Sequence, residues 1–468
     1  MDELALMREA DRRALAYLET VGTRPAYPPE HAIAALAGFD EPLPATGRGG
    51  ADTLSLLDTL GTPATVTNNG PNYFGFVIGA TLPAAAAADR LALAWDQCAS
   101  SFDGSPAAHA IEQQAGRWLL DILDLPRESA VAFGTSATTS AIAALSAARS
   151  TLLARAGWDF EADGLSGAPE IRVVVPETVH ITMIKALRVL GFGLSRLVRA
   201  PVEALGRVDP ARLPALDGRT ILCLQAGEVN TGEFDPFATV IPVARAAGAW
   251  VHVDGAFGLW ARAARRTRPL AEGVEAADSW TVDGHKWLNT PYDGAVAICR
   301  DAGALARAMN SDAAYSAASA DAQKNLTLEF SRRARGIAIW AALRALGRDG
   351  VEAMVERHVG LAQALAARLR AAGYDVVNRV VLNQVLVRGR DDAETEAILK
   401  SVQEDGRVWF GATVWQGRPA FRISFSSWRT RAAHAETLAT ILEGAIARSD
   451  GQPAAMPRER RGEQHARP

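Results

Sequence analysis

Between about Gly134 and Arg300 the chain alternates segments of helical period with short apolar runs, "IRVVVP", "TILCLQ", "WVHVDGAF" and "GAVAICR". This alternation restricts the fold more than any other feature. Strands separated by helices run in the same direction and form a mostly parallel sheet with helices on both faces, an α/β architecture. Residues 1 to about 104 read instead as helical pieces between loops such as "TRPAYPPE" and "TNNGPNYFG". After about Asp349, "VEAMVERHVGLAQALAARLRAAG" has helical spacing and is followed by strand-like "DVVNRVVLNQVLVR" and "AFRISFSSW", then by another helix. The expected organisation is an N-terminal helical segment at 1–104, a large domain at 105–348 and a small α+β C-terminal domain at 349–449. The tail at 450–468, rich in Pro, Gly and charge, is expected to be disordered.

The chain is 468 residues long, 49% hydrophobic and 22% charged, which is ordinary for a soluble protein with a large core. A net charge of −4 gives no electrostatic reason to expect a nucleic-acid partner. The most apolar run is interrupted by Asp89 and Arg90, short of a membrane span, and the acid-rich N-terminus reads as an amphipathic helix, not a leader. A cytoplasmic protein without a membrane partner is expected. Cys98, Cys223 and Cys299 are odd in number and widely spaced, so no disulfide framework or cysteine metal site is expected.

Lysine is scarce. Only Lys185, Lys286, Lys324 and Lys400 stand among 49 basic residues. Arginine stays charged, whereas a lysine can act as a nucleophile and form a Schiff base, so a lysine kept against this bias is a candidate for its amine. Lys286 lies in "TVDGHKWLNTPYDG", between His285 and Trp287, where turn residues lead into a strand. In "WVHVDGAF" strand alternation puts Trp250, His252 and Asp254 on one side, so that an ionised group ends a buried strand. Such a carboxylate needs a cationic ring, a metal or structural hydrogen bonds, and no further ligand cluster stands at metal spacing. "VAFGTSATTSAIAALSAAR" is a strand, a hydroxyl-rich turn and a helix: a seat for phosphate or an ordinary helix cap. His180 follows the strand of "VVVPETVH" at the start of a helix, as a ring-stacking or a plain hydrogen-bonded histidine.

In order, the phosphate turn, the strand-end histidine, the V-D-x-A segment and the D-x-H-K-W segment resemble the group II pyridoxal-phosphate-dependent amino-acid decarboxylases, over about residues 65 to 445. The resemblance implies pyridoxal-phosphate fold type I, the aspartate-aminotransferase-like fold, with pyridoxal 5'-phosphate as cofactor. It implies that Lys286 holds the cofactor aldehyde and that Asp254 pairs with the pyridine nitrogen. His180 would stack on one ring face, Ala256 would pack on the other, and Ala137, Thr138 and His285 would hold the phosphate. Tyr315, 29 residues past the lysine on a small-residue loop, corresponds to the family's proton donor to Cα. The family also implies a homodimer whose N-terminal segments wrap each other and whose active sites lie at the interface.

The expected reaction is decarboxylation of an L-amino acid to the amine and CO2. Retro-aldol cleavage and decarboxylation coupled to amine oxidation are the rivals on the same cofactor, and a non-catalytic binding protein is the rival on the same scaffold. "PNYFGFVIGATLP" corresponds to the side-chain pocket of relatives, so Tyr73, Phe74, Phe76, Val77 and Ile78 are candidates that favour an aromatic or apolar substrate, or are core residues. Two departures stand out. Glu228, Val229 and Asn230 occupy a place where many relatives carry a Gly-Thr-Thr run, and Thr139 replaces an acid common after the turn's threonine.

Overall fold

Each of the four apolar runs quoted for the central region forms a strand. The computed structural model describes residues 2–311 and 321–449. In it β1 (Ala130–Gly134), β2 (Arg172–Pro176), β3 (Val198–Ala200), β4 (Thr220–Gln225), β5 (Trp250–Asp254), β6 (Ser279–Asp283) and β7 (Ala295–Cys299) make one sheet. Their order is β1-β7-β6-β5-β4-β2-β3. The β2–β3, β2–β4, β4–β5 and β5–β6 pairs are parallel, and β7 runs against both β1 and β6.

Strand alternation sends the two sets of side chains into different cores. Ile221, Cys223 and Trp250 pack beneath the helix Ala137–Arg155, whose Ala143, Ala147 and Ala148 allow a close approach. Leu222, Leu224, Val251 and Val253 face the opposite layer with Val240 and Ile241 of the helix Phe237–Ala246. Burial on both faces explains why the strands read as continuous apolar runs. The outer edge of β1 is closed by a side chain: Gln323 Oε1 accepts from Phe133 N (3.0 Å) and its Nε2 donates to Val131 O (2.9 Å). A glutamine amide here does the work of a neighbouring strand.

A second, antiparallel sheet has the order β10-β11-β9-β8, with β8 (Asp375–Val376), β9 (Gln384–Arg388), β10 (Gly411–Trp415) and β11 (Arg418–Ser424). Its core joins Phe410, Phe421 and Phe425 to Leu438 and Leu442 of the helix Ala432–Ser449. The helical stretch Gly336–Ala371 bridges the two sheets and breaks at Gly347, where φ is 62°. Only glycine takes that conformation without steric cost. A large, mostly parallel α/β unit with a small C-terminal α+β unit is fold type I. Among the described residues no helix is long and apolar enough to cross a membrane.

Candidate active site

The parallel strands β1, β2, β4, β5 and β6 end on one edge of the sheet, and the candidate residues follow those ends. Because β7 is antiparallel to β6, the 284–294 connection turns back at this same edge and carries Lys286. The loop is closed by Gly284 N to Gly294 O (2.7 Å) and Thr290 N to Gly284 O (3.1 Å). Asn289, at φ 60°, uses its amide to donate to Trp287 O (2.7 Å) and Ser426 O (2.9 Å) and to accept from Trp428 N (2.8 Å). Trp287 Nε1 donates to His358 Nδ1 (2.8 Å), and the other ring nitrogen of His358 meets Ser427 O at 3.0 Å. Burial pushes the His358 pKa down to about 3, which keeps the ring neutral and able to accept at one nitrogen while donating at the other. The lysine-bearing loop is thus tied to the small unit by side chains on both sides of Leu288.

Lys286 Nζ lies 3.1 Å from Asp283 Oδ2, and His285 Nε2 lies 3.6 Å from the same oxygen. His285 Nδ1 accepts from Gly294 N (3.2 Å) and its ring lies 4.6 Å from that of Tyr292. Burial lowers the His285 pKa, opposed by Asp283. Asp254 ends β5, in register with Gln225 and Thr281. Its Oδ1 accepts from Ala256 N (3.1 Å) and lies 3.5 Å from Thr281 Oγ1. Ala256 O in turn accepts from Asp283 N (2.9 Å), so the acid segment and the lysine segment are stitched together.

His180 caps the helix Ile181–Val189, with Nδ1 accepting from Thr182 N (3.3 Å). Burial lowers its pKa; Asp254 works against that, whereas Lys286 and Arg422 reinforce it. These charges reach His180 from the end of β5, from the loop after β6 and from within β11. A neutral ring suits a stacking role, because no charge has to be desolvated.

At the end of β1, Ser136 caps the helix Ala137–Arg155 in a capping box whose second half is Thr139: Thr139 N reaches Ser136 Oγ (3.3 Å) and Ser136 N reaches Thr139 Oγ1 (3.1 Å). That position usually carries Glu or Gln in a capping box. With Thr139 the turn is closed without an anion. Glu228 is buried but paired within its own loop, accepting from Asn230 N (2.7 Å), Thr231 N (2.7 Å) and Asn230 Nδ2 (3.0 Å). The remaining amide oxygen of Asn230 accepts from Thr413 Oγ1 (2.8 Å). Glu228 and Asn230 are therefore consumed in holding the loop after β4, and Thr139 in closing the turn after β1.

The segment 73–79 presses on the lysine loop: a Cβ on Gly79 would come within 2.0 Å of Lys286 O. Tyr73 stacks on Trp409 with centroids 4.9 Å apart, and Phe76, half exposed, lies 5.2 Å from the same ring. Phe74 turns the other way, edge-on to Phe425 in the small unit's core. Val77 is also buried. Tyr315 and the tail from 450 lie outside the described residues. Sequence reasoning used Asp283 only as part of the D-x-H-K-W segment, without a role of its own, and did not single out Asn289, His358, Trp409 or Arg422. Asp283, two residues before His285, was the one in plain view.

The profile described as "Pyridoxal-dependent decarboxylase conserved domain" matches residues 57–388. Tryptophan decarboxylase 1 of Oryza sativa subsp. japonica is 28% identical over 401 residues, covering 76% of each chain. The L-2,4-diaminobutyrate decarboxylase of Rhizobium meliloti (strain 1021) is 28% identical over 412 residues, 83% of this chain and 81% of that one. The crystal structure of Oryza sativa TDC with PLP and tryptamine superposes with a TM-score of 0.87 at 23% identity, over 95% of this chain and 97% of that chain. With the profile spanning most of the chain and the fold the same, the chain belongs to the pyridoxal-dependent decarboxylase family, amino-acid carboxy-lyases that work with pyridoxal phosphate.

Proposed function

We propose that the chain decarboxylates an aromatic L-amino acid to the amine and CO2, with its cofactor held at the carboxyl edge of the large sheet. The observation that carries this reading is the convergence of Lys286, Asp254, His180 and the Ser136–Thr139 turn on that edge from four separate strand ends. The residues fit the cofactor part by part. Lys286 would hold the aldehyde carbon through Nζ, and the Asp254 carboxylate would keep the ring nitrogen protonated. The His180 and Ala256 side chains would pack against the ring. Ala137, Thr138 and His285 would take the phosphate at a helix start free of acids. When bound, pyridoxal phosphate supplies the electron sink for the pair left as the Cα–carboxylate bond breaks. Tyr315 is assigned, on sequence alone, to return a proton to Cα.

The aromatic choice is supported by the Tyr73–Trp409–Phe76 cluster against the lysine loop and by the tryptophan decarboxylase among the relatives. Incubating the purified protein and pyridoxal phosphate with tryptophan, tyrosine, phenylalanine, glutamate and 2,4-diaminobutyrate separates the possibilities. Amine from the aromatic acids at least tenfold faster than from the others is expected; a preference for diaminobutyrate or glutamate overturns the substrate class. Aldehyde in place of amine would move the reading to coupled oxidation.

In this reading the working unit is a homodimer. Helix Glu3–Thr20 buries none of its residues and exposes Leu4, Met7, Leu15 and Leu18, while Leu91, Leu93 and Trp95 are exposed on helix Pro83–Trp95. Apolar surface of that extent calls for a cover, and a second copy provides one that closes on itself. Sedimentation at micromolar concentration should return the mass of two chains, and a single-chain mass would remove the dimer from the proposal.

A further inference from the structure

Asp283 closes β6 opposite Ala295 of β7, so its backbone is fixed by strand pairing and not by the loop that follows. Its carboxylate is 2% exposed. Oδ2 faces Lys286 Nζ at 3.1 Å and His285 Nε2 at 3.6 Å, and Oδ1 has no hydrogen-bond partner among the described residues. A buried carboxylate with one oxygen unserved stays ionised only against a cation in contact. Burial keeps His285 toward its neutral form. Of the two described ionic partners of Asp283, the lysine is the one at contact distance. Resting on the reading above, we propose that Asp283 is a further catalytic residue, the fixed counter-charge for Nζ of Lys286.

With pyridoxal phosphate bound, a carboxylate there would favour a proton on Nζ, and it would hold the lysine amine in place as it takes up the proton that an incoming substrate ammonium gives up. Charged and titratable groups surround this pair from several elements: His180 after β2 and His285 beside the lysine each feel both charges, Asp254 of β5 and Arg422 of β11 act on the same His180 ring, and Asp293 of the same loop acts on His285. Tyr292 is pushed up to about 12, by burial first and Asp283 second, and stays a neutral phenol. In the reading above Asp254 is committed to the ring nitrogen. Asp283 is the anion in contact with Nζ.

Asp283→Asn keeps the shape and removes the charge. The pH titration of the visible absorbance that pyridoxal phosphate gives on binding then reads the effect, independently of turnover. Loss of an anion at contact distance should lower the midpoint by about one pH unit or more. A visible band whose midpoint is unmoved overturns the proposal while leaving the cofactor reading intact; a wild-type protein that develops no band sinks both. The apoprotein gives a second measurement that needs no cofactor. Lys286→Met strands the buried carboxylate, so its urea midpoint should fall, and adding Asp283→Asn should raise the midpoint back toward wild type. Strictly additive losses in that cycle would show that the two groups do not act as a pair.

Discussion

Asp254→Asn is expected to lower kcat/KM for amine formation by roughly 10³-fold, about 4 kcal/mol of transition-state stabilisation, with the cofactor still attached. Asparagine preserves the outline and an acceptor for Ala256 N, so β5 and its turn should keep their geometry. In the proposed arrangement, what disappears is the negative charge that would hold a proton on the ring nitrogen, and with it the ring's capacity to take up the electron pair from Cα. The loss belongs to the transition state and should appear in kcat, with KM little changed. Steady-state amine release at saturating cofactor measures it. A drop under tenfold would mean that the carboxylate does not face the ring nitrogen, and the site would have to be redrawn.

The fold was legible where burial on both faces writes a strand as an apolar run, as in "TILCLQ" and "IRVVVP". It was not legible at β6, "SWTVD", where polar Ser279 and Thr281 alternate with apolar residues. Their burial depends on partners from β5: Ser279 Oγ meets both Trp250 Nε1 (3.0 Å) and His252 Nδ1 (2.9 Å). β3 has three residues and is a strand only because β2 lies beside it. In the site, Asp254 and His180 stood out because they stand at the end of readable strands and carry groups with little structural use there, and Lys286 because lysine is scarce in this chain. Trp409 and Arg422 did not, since nothing local marks them. Their nearness to residues 73–76 and to His180 is made by the small unit folding back on the large one. His358 meets Trp287 from 71 positions away, across a helix whose periodicity says only that the face is buried. Asp283 was visible as a residue but not as a partner, because whether an acid three positions before a lysine touches it depends on a backbone bend that no spacing rule supplies.

The largest expected loss of stability lies beside the phosphate turn. Arg332 and Glu112 form a paired contact in which neither side chain reaches solvent, at 0% and 1% exposure, with Nη1–Oε2 at 2.7 Å and Nη2–Oε1 at 3.0 Å. The same guanidinium donates to Ala99 O (2.7 Å) and Phe133 O (3.0 Å), and Glu112 Oε1 also accepts from Gly336 N (2.9 Å). One pair thereby joins the N-terminal segment, the end of β1 and the start of the bridging helix. Glu112→Ala leaves a guanidinium enclosed without a counter-charge, which should cost about 3–5 kcal/mol of unfolding free energy. Most of that is the penalty on the stranded partner, so removing both charges should be far milder. Glu112→Leu with Arg332→Met should recover most of the urea midpoint lost in the single variant. Because Phe133 precedes Gly134 and the turn that follows, the single variant should also hold pyridoxal phosphate more weakly, seen as faster loss of the visible band on dilution. A Glu112→Ala protein within about 1 kcal/mol of wild type would mean that water reaches the pair. In that case the anchoring of β1 would rest on Gln323 instead.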